Sequence, residues 1–466
     1  MNPAMKPSST RLLPLALAAL LAACTTPRAP EPAAPPRLPA AWLTPQAGGA
    51  ELAPAWWQGL GDPALPGLID KAWAQSPTLA QARARLALAQ AQRQAAQAAL
   101  GPQTQGQVAA SRGQTAPPLS PSSAANWTVQ ASWELDLFGA ARASRDAAGA
   151  RAEAAALTLD HARQNLAVEV GQALLAWRHA DAQLALARAD EALAERLARA
   201  DAQAARAGTL SASQAALSQT LAAAARTATQ AWVEQRGAWL QTLALLVADD
   251  AATLAPQLGS QPLPAPAALA VGVLPATLLE RRADLAAALR QWQAASLEAQ
   301  GTAIAEHAPQ LSFSALVGRG RWELGAGTVS GTIWNLAPTL TIPLFDTGGR
   351  AAATASARAQ EAEARAGLEA QWRGAVAEVE QALLRWHAAQ ARRREAEATL
   401  GHWQRIAEAS GAQARAGLLS GYALARDERN ALTARSDALD AAREQAAAYL
   451  QLVRALGGGW TENKNT

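Results

Sequence analysis

The chain has little of what most enzymes use. Its 466 residues include one cysteine, Cys24, which excludes an intramolecular disulfide and a cysteine-based zinc site. Lysine occurs only at Lys6, Lys71 and Lys464, never after a glycine, so a phosphate loop of the G-K-[ST] kind is impossible. The five histidines, His161, His179, His307, His387 and His402, fall at no i, i+3 or i, i+4 spacing, and each reads as a surface or packing residue rather than a ligand. G-x-S-x-G and H-E-x-x-H are both missing. No acid, base, nucleophile or metal constellation stands out, so neither an enzyme nor a cofactor is expected. A surplus of one charge is also missing. Lys and Arg number 41 against 38 Asp and Glu, and the resulting net charge of +3 gives nucleic-acid binding no support. Half of the residues are hydrophobic, yet mean hydropathy is only −0.06. Much of that half is alanine, which builds helices rather than thick cores.

What is present begins at the N-terminus. Lys6 and Arg11 precede a short apolar run, Leu12 to Leu21, which is too short to span a bilayer and reads as a secretory signal. The run ends in Leu21-Ala22-Ala23-Cys24, which resembles a bacterial lipobox with Cys24 as the lipid-bearing residue. Thr25 follows the cysteine where an inner-membrane lipoprotein would carry Asp, so the resemblance implies outer-membrane sorting. Residues 1–23 are thus expected to be a lipoprotein signal peptide and 24–50 a Pro-rich tether.

The rest of the chain repeats itself. Glu169-Val170-Gly171-Gln172-Ala173-Leu174-Leu175-Ala176-Trp177 matches Glu378-Val379-Glu380-Gln381-Ala382-Leu383-Leu384-Arg385-Trp386 at an offset of 209. Arg206-Ala207-Gly208-Thr209-Leu210-Ser211 matches Arg415-Ala416-Gly417-Leu418-Leu419-Ser420 at the same offset. Two copies of one architecture follow, 51–254 and 276–456, joined by a Pro-rich linker 255–275 and followed by a tail 457–466.

Each copy predicts one very long helix, Ala140 to Ala207 and Gly349 to Ala416, each on the order of 100 Å long. Each stops at a glycine suited to the left-handed C′ position, Gly208 or Gly417. Ser211 with Gln214, and Ser420 in the second copy, then open a return helix, the first over about 212–247. A further helix over about 78–100 has Ser76 as N-cap and Pro77 at N1. The stripe Val170, Ala173, Leu174, Trp177, repeated as Val379, Ala382, Leu383, Trp386, marks a packing seam.

Four strands are expected, two per copy. Trp127, Val129, Ala131, Trp133, Leu135 and Leu137 alternate with polar residues. Leu311, Phe313, Ala315 and Val317 do likewise; Trp334, Leu336, Leu340, Ile342 and Leu344 form a third run and Gln103 to Arg112 a weaker fourth. Loops are expected over 113–125 and 319–327, with aromatic ends at Trp127, Phe138, Trp322, Trp334 and Phe345. Membrane-barrel strands and half-buried strands of a soluble sheet fit this alternation equally well. Four strands cannot close a barrel, and an open edge in lipid is costly, so the membrane alternative requires several chains: two give eight strands, three give twelve.

Four further motifs carry a resemblance. They are Trp56-Trp57-Gln58-Gly59-Leu60-Gly61-Asp62-Pro63-Ala64-Leu65, Ser132-Trp133-Glu134-Leu135-Asp136-Leu137-Phe138-Gly139, Leu278-Leu279-Glu280-Arg281-Arg282-Ala283-Asp284 (with Ala283 where Pro is usual) and Pro343-Leu344-Phe345-Asp346-Thr347-Gly348-Gly349-Arg350. Together they resemble the outer membrane efflux protein family (TolC/OprM-like), in its NodT-type lipoprotein branch. The resemblance implies a homotrimer whose twelve-stranded barrel sits in outer-membrane lipid and continues as a trimeric α-barrel tunnel of long antiparallel, coiled-coil-like hairpins. Such a tunnel docks through a periplasmic adaptor on an inner-membrane RND-type pump and passively exports drugs or other small molecules. The linker 255–275 becomes equatorial, and the two Arg-Ala-Gly-x-Leu-Ser turns, Arg206–Ser211 and Arg415–Ser420, become the adaptor-docking tips. The family's acidic gate pattern, counted from Gly417, falls on Ala423 and Arg426, neither acidic, with Asp427 one residue on. Arg426 then either points inward and favours anions or, the preferred reading, pairs with Asp427 or Glu428 of a neighbour and locks the tip. Alternatives are a type I secretion exit, a metal-efflux exit (Met1 and Met5 are the only methionines, so thioether ligands are lacking), a non-pore helical scaffold lipoprotein, or a lipoprotein enzyme acting on the cell wall.

Overall fold

Backbone ladders and helix ends explain most of the architecture in the computed structural model, which describes residues 42–43, 55–114, 121–266, 282–324 and 327–458. Cys24, the signal peptide and all of the tether but Trp42 and Leu43 lie outside the described residues, as do 267–281 and the tail beyond Gly458. Among the described residues the order is a 3-10 turn Trp56–Leu60, α1 Leu65–Gln75, α2 Pro77–Ala98, β1 Gln103–Gly113, β2 Ser122–Leu135, α3 Ala140–Arg206, α4 Ala212–Val247 and α5 Ala251–Leu258. The second half follows with α6 Ala283–His307, β3 Gln310–Leu324, β4 Gly327–Thr341, α7 Gly349–Arg415 and α8 Gly421–Ala455. None of the described helices is long and apolar enough to cross a membrane.

The two long helices are 67 residues each, as the repeat predicts, and they start the same way. Asp136 accepts the N–H groups of Gly139 and Arg142 at 2.8 and 2.9 Å; Asp346 accepts those of Gly348 and Arg350 at 3.2 and 2.7 Å. Each carboxylate satisfies orphan donors at a helix N-terminus, where the dipole also favours negative charge. Gly139 and Gly348 stand at φ +93° and +103°, a conformation that side-chain-bearing residues resist, so the chain reverses from strand to helix at a glycine both times. Burial raises the Asp136 carboxyl, but its bonds to the Arg142 side chain and to the backbone outweigh this and hold it below the ordinary carboxylate value.

The chain divides into two units. One holds Arg85–Ala155 and Ala287–Glu369, and with them the sheet. Four antiparallel strands lie in the order β1-β2-β3-β4. Beside them the α6 face packs on α3 through close approach at Gly301, where an added Cβ would sit 3.2 Å from that of Ala143. Trp292, Ala288 and Leu368 form a small buried cluster between α6 and α7.

The other unit, Arg37–Ala84, Ala156–Ala286 and Ala370–Thr466, holds the expected seam: Val170, Ala173, Leu174 and Trp177, and Val379, Ala382, Leu383 and Trp386, are all buried. Gly171 lets Leu450 and Trp56 approach α3, and Tyr449 Oη donates to the Trp56 carbonyl. Arg178 is the most deeply buried cation, its side chain 1% exposed, and it forks onto Asp62, equally buried, at 2.9 Å while also donating to the Gly259 carbonyl. Arg282 forks onto Asp284 and reaches Glu378 and the Ala455 carbonyl. In both cases a guanidinium ties segments distant in sequence, since its planar donors serve several acceptors at once.

Three expectations need correction. The loops are shorter than the alternation suggested, because β2 starts at Ser122, β3 continues to Leu324 and β4 starts at Gly327. Ladder hydrogen bonds are made by backbone and run on through the polar and glycine residues that end the apolar pattern. Conversely, β2 stops at Leu135 and β4 at Thr341, so Leu137, Phe138, Ile342, Leu344 and Phe345 lie beyond the strands; Pro343 lacks an N–H, and the Asp caps turn the chain. Trp322 lies on the opposite sheet face from Trp127 and Trp334. The expected linker 255–275 begins within α5, which contains Pro256 and is held by burial of Ala251, Leu254 and Leu258 and by an Asp250 cap.

Removing one partner of the buried Arg178–Asp62 pair leaves an uncompensated charge, which typically costs about 3–5 kcal/mol. Asp62→Ala should therefore lower the thermal unfolding midpoint of the purified protein sharply. The double variant Asp62→Ala, Arg178→Met should recover most of the loss, which a scan of both variants checks.

Candidate channel sheet and helical hairpin ends

The register sorts every strand residue onto one of two faces. Trp127 stands opposite Val108 on β1 and Arg319 on β3; Val129 opposite Gly106 and Val317; Trp133 opposite Phe313; Leu135 opposite Leu311. Continuing across the sheet, Val317 meets Trp334, Ala315 meets Leu336 and Leu311 meets Leu340. One face is thus apolar from the Val129 row to the Leu135 row, a span of about 20 Å along the strand. It is also open: Val108 is 87% exposed, Trp334 76% and Leu336 65%. Trp127 and Trp334 mark the hairpin end of this band and Trp133 and Phe313 the other, the aromatic girdle pattern of a membrane strand. Sequence alone named Trp127 and Trp334 as girdle residues; Trp133 and Phe313 become visible as girdle residues only once the register is known.

The opposite face is polar. Gln105, Gln130, Leu316 and Asn335 share one row, and Gln103, Ser132, Ser314 and Ala337 the next. Gln105 Nε2 donates to Gln130 Oε1 at 3.2 Å. These residues line a hollow of about 400 Å³. A sheet with one apolar and one polar face suits a barrel with lipid outside and a water-filled lumen inside. Glu134 is the one charged residue on the polar face within the described strands.

Both helical hairpins end in the same motif. Thr209 N–H reaches Ala204 O and Gly208 N–H reaches Ala205 O; in the second copy Leu418 N–H reaches Gln413 O and Gly417 N–H reaches Ala414 O. This is the Schellman arrangement, with Gly208 and Gly417 at φ +76° and +72°. Ser211 and Ser420 then cap the return helices, accepting from Gln214 N and Ala423 N at 3.2 Å each. Arg206, Ala207, Leu210, Arg415, Ala416 and Leu419 complete the two turns, and Leu418 is 79% exposed.

Further along each hairpin is a clasp that sequence reading missed. Ser218 on α4 donates to Asp201 on α3, and Ser410 on α7 donates to Asp427 on α8, the latter at 2.6 Å. At the 209 offset these are equivalent positions with serine and aspartate exchanged. Reflecting the sequence about each glycine turn would have found both pairs. Arg426 donates from Nε and Nη2 to Asp427 at 3.2 and 3.1 Å, so it has an acceptor within its own chain. Glu428 lies 4.0 Å from Arg196, and Arg429 forks onto Asp190 of α3. The Ser410 hydroxyl, with Arg426 behind it, holds the Asp427 carboxyl below its ordinary value despite partial burial.

The geometry defines a channel-class protein: a four-stranded sheet with one apolar and one polar face, and two long helical hairpins. A model of the family described as outer membrane efflux protein matches residues 68–248 and 274–458, and the chain belongs to that family. Membership makes it an outer-membrane efflux channel, not an enzyme. It is 28% identical over 479 residues to the pyoverdine export outer membrane protein OpmQ of Pseudomonas putida, covering 98% of each chain. To the outer membrane protein OprJ of Pseudomonas aeruginosa it is 28% identical over 340 residues, 72% of this chain and 70% of that one. In fold it is similar to the CmeC outer membrane channel of Campylobacter jejuni, with a TM-score of 0.81 at 18% identity, over 94% of this chain and 96% of that chain. Channels of this family trimerise and act in tripartite efflux pumps.

A carboxyl whose folded value is depressed contributes stability above the unfolded value, about 3.9, and loses it as pH falls toward the folded value. Asp427 should accordingly keep the second hairpin protected from pH 7 down to about 4 and release it below. Amide hydrogen exchange around Ser410 and Asp427 should show protection falling only in that acid window, and Asp427→Asn should flatten the dependence.

Proposed function

We propose that three copies of this chain form one lipid-anchored exit duct for small molecules, with twelve strands in the outer membrane and the helical hairpins in the periplasm. The observation that carries this is the sheet: four strands, apolar on one face and polar on the other, whose outer edges at β1 and β4 no strand of the same chain covers among the described residues. In hydrocarbon such edges must pair, and a second and third chain supply the partners. Cys24 is the acylated N-terminus and 24–50 the tether from the inner leaflet; an unmodified mature N-terminus in mass spectrometry would remove this part. Nothing in the sequence binds a nucleotide, so an inner-membrane RND-type pump, reached through a periplasmic adaptor, supplies the energy. Residues 255–275 form the linker between the two repeats. The relatives include a pyoverdine exporter, and a polar, nearly uncharged lumen suits small molecules of mixed polarity.

The test is a planar-bilayer measurement. The reconstituted protein should conduct with weak ion selectivity. Gln130→Glu, which sets three carboxylates into the lumen, should shift selectivity toward cations several-fold, as expected of a charge ring in a confined pore. No conductance in any condition would favour the scaffold alternative. In the trimer Arg426 also reaches Asp427 or Glu428 of the neighbouring chain and so locks the hairpin end, and Arg426→Ala should raise conductance.

The docking role of the two turns rests on their identical motif, which three chains would present six times in a ring. Gly208→Val and Gly417→Val place a β-branched residue at positive φ, a strain of roughly 1–2 kcal/mol or more. Each should reduce pump-dependent export in cells while membrane insertion, followed by fractionation, stays intact. Normal export in both variants would remove the assignment.

A further inference from the structure

The apolar face of the sheet does not end neutrally. Its next rows toward the β1–β2 and β3–β4 hairpins bring Arg319 beside Trp127, Arg321 beside Ala125, and Arg112 beside Ser123 with Glu323 across from it. All three arginines lie on the same side as the lipid-facing tryptophans and all are exposed. Arg112 and Arg321 line one shared hollow of about 380 Å³ with Ser123 and Glu323. The single carboxylate is already engaged, accepting from the Ser123 hydroxyl at 2.6 Å and from Arg321 at 3.4 Å. Among the described residues Arg112 and Arg319 make no ion pair. At the opposite rim of the same face the strands end in Leu135, Leu311 and Leu340, with no charge. The asymmetry calls for a ligand, because a barrel face set in a zwitterionic bilayer has no use for a net surplus of two cations per chain at one rim only.

We propose that Arg112, Arg319 and Arg321 form a binding site for the phosphate groups of an acylated, phosphorylated glycolipid in the outer leaflet of the outer membrane. The site rests on the barrel reading above, which sets the hairpin ends at the outer surface. The acyl chains lie along the Val108, Trp127 and Val317 rows, and the headgroup phosphates meet the guanidiniums immediately above. Guanidinium suits this role: its planar fork donates two parallel bonds to phosphate oxygens, and its weak hydration lowers the cost of leaving water. Glu323 fixes Arg321 in the hollow and leaves Arg112 and Arg319 free for the anion. Three chains would present nine arginines in an outer ring, a collar that orders the lipid around the barrel.

The test uses the full-length protein, purified in detergent and exchanged against a diphosphorylated, acylated glucosamine disaccharide. Native mass spectrometry counts the lipids retained. Wild type should retain this glycolipid, and Arg112→Ser, Arg319→Ser, Arg321→Ser together should lose it, at roughly fivefold in affinity per arginine removed. The three arginines replaced by lysine should retain part of the binding. Removing both phosphates from the glycolipid should reduce wild type to the level of the serine variant. Equal retention by wild type and the serine variant, or retention indifferent to the phosphates, overturns the proposal. Displacement by millimolar inorganic phosphate would reassign the arginines to free phosphate and equally overturn the lipid site. The single variant Arg319→Ser guards against misfolding of the triple one, since it should show an intermediate loss. Planar-bilayer conductance is recorded on the same samples: a serine variant that conducts but binds as well as wild type sinks the lipid site alone, whereas a wild type that binds but does not conduct sinks the channel reading alone.

Discussion

An unpaired strand edge cannot exist in hydrocarbon, and this one constraint organises the molecule. The four-stranded sheet has one apolar face, which suits lipid, yet among the described residues β1 and β4 each keep an outer row of unpaired N–H and C=O groups. Every unsatisfied group would cost several kcal/mol. The sheet is therefore complete only as part of a closed barrel, and assembly becomes a condition of the fold rather than an addition to it. The polar side, with its Gln105–Gln130 amide pair and Glu134, then faces water.

The helices solve the complementary problem of reach. Two 67-residue helices need firm starts and firm stops, because an alanine-rich helix has little side-chain packing to define its ends. Asp136 and Asp346 supply the starts and the Gly208 and Gly417 turns the stops. The repeat is not a strict copy. The Ser–Asp clasp is kept as a bond while its two residues change sides, Asp201 with Ser218 in one half and Ser410 with Asp427 in the other. A hydrogen bond has no preference for which helix carries the acceptor, so duplication followed by exchange preserves the contact. The exchange does alter the surroundings: in the second copy the carboxylate sits on the return helix, where Arg426 also reaches it. The two hairpin ends are thereby electrostatically different although their turns are alike.

Buried guanidiniums bind the repeats to the segments between them. Arg178 collects Asp62 and Gly259, and Arg282 collects Asp284, Glu378 and the end of α8. Both cations sit in or beside motifs that carried the family resemblance: Asp62 belongs to the Trp56–Leu65 stretch and Arg282 to the Leu278–Asp284 stretch. The motifs are recognisable in sequence because these residues serve packing and pairing at fixed places, not because they do chemistry. Ala283 in place of the usual proline costs little, since a helix N1 position accepts either residue.

Much of this was determined by the sequence alone. The glycine turns, serine caps, helix lengths and the 209-residue repeat follow from local rules, in which a residue's neighbours within a turn or two decide its conformation. The apolar face of the strands also followed, because side chains alternate with a period of two. What only the tertiary structure decided was everything that depends on pairing across distance. Strand ends differed from the expected ones because ladders are made by backbone and do not stop where the apolar pattern stops, as Ser122 and Leu324 illustrate. Trp322 fell on the polar side, and Arg112, Arg319 and Arg321 gathered on the lipid-facing one, because register sets which residues stand opposite each other. Asp427 met Ser410 across the hairpin, and Arg426 reached the same carboxylate. Local geometry is written in adjacent residues; the meeting of distant ones depends on how the backbones align, and no short stretch of sequence contains that alignment.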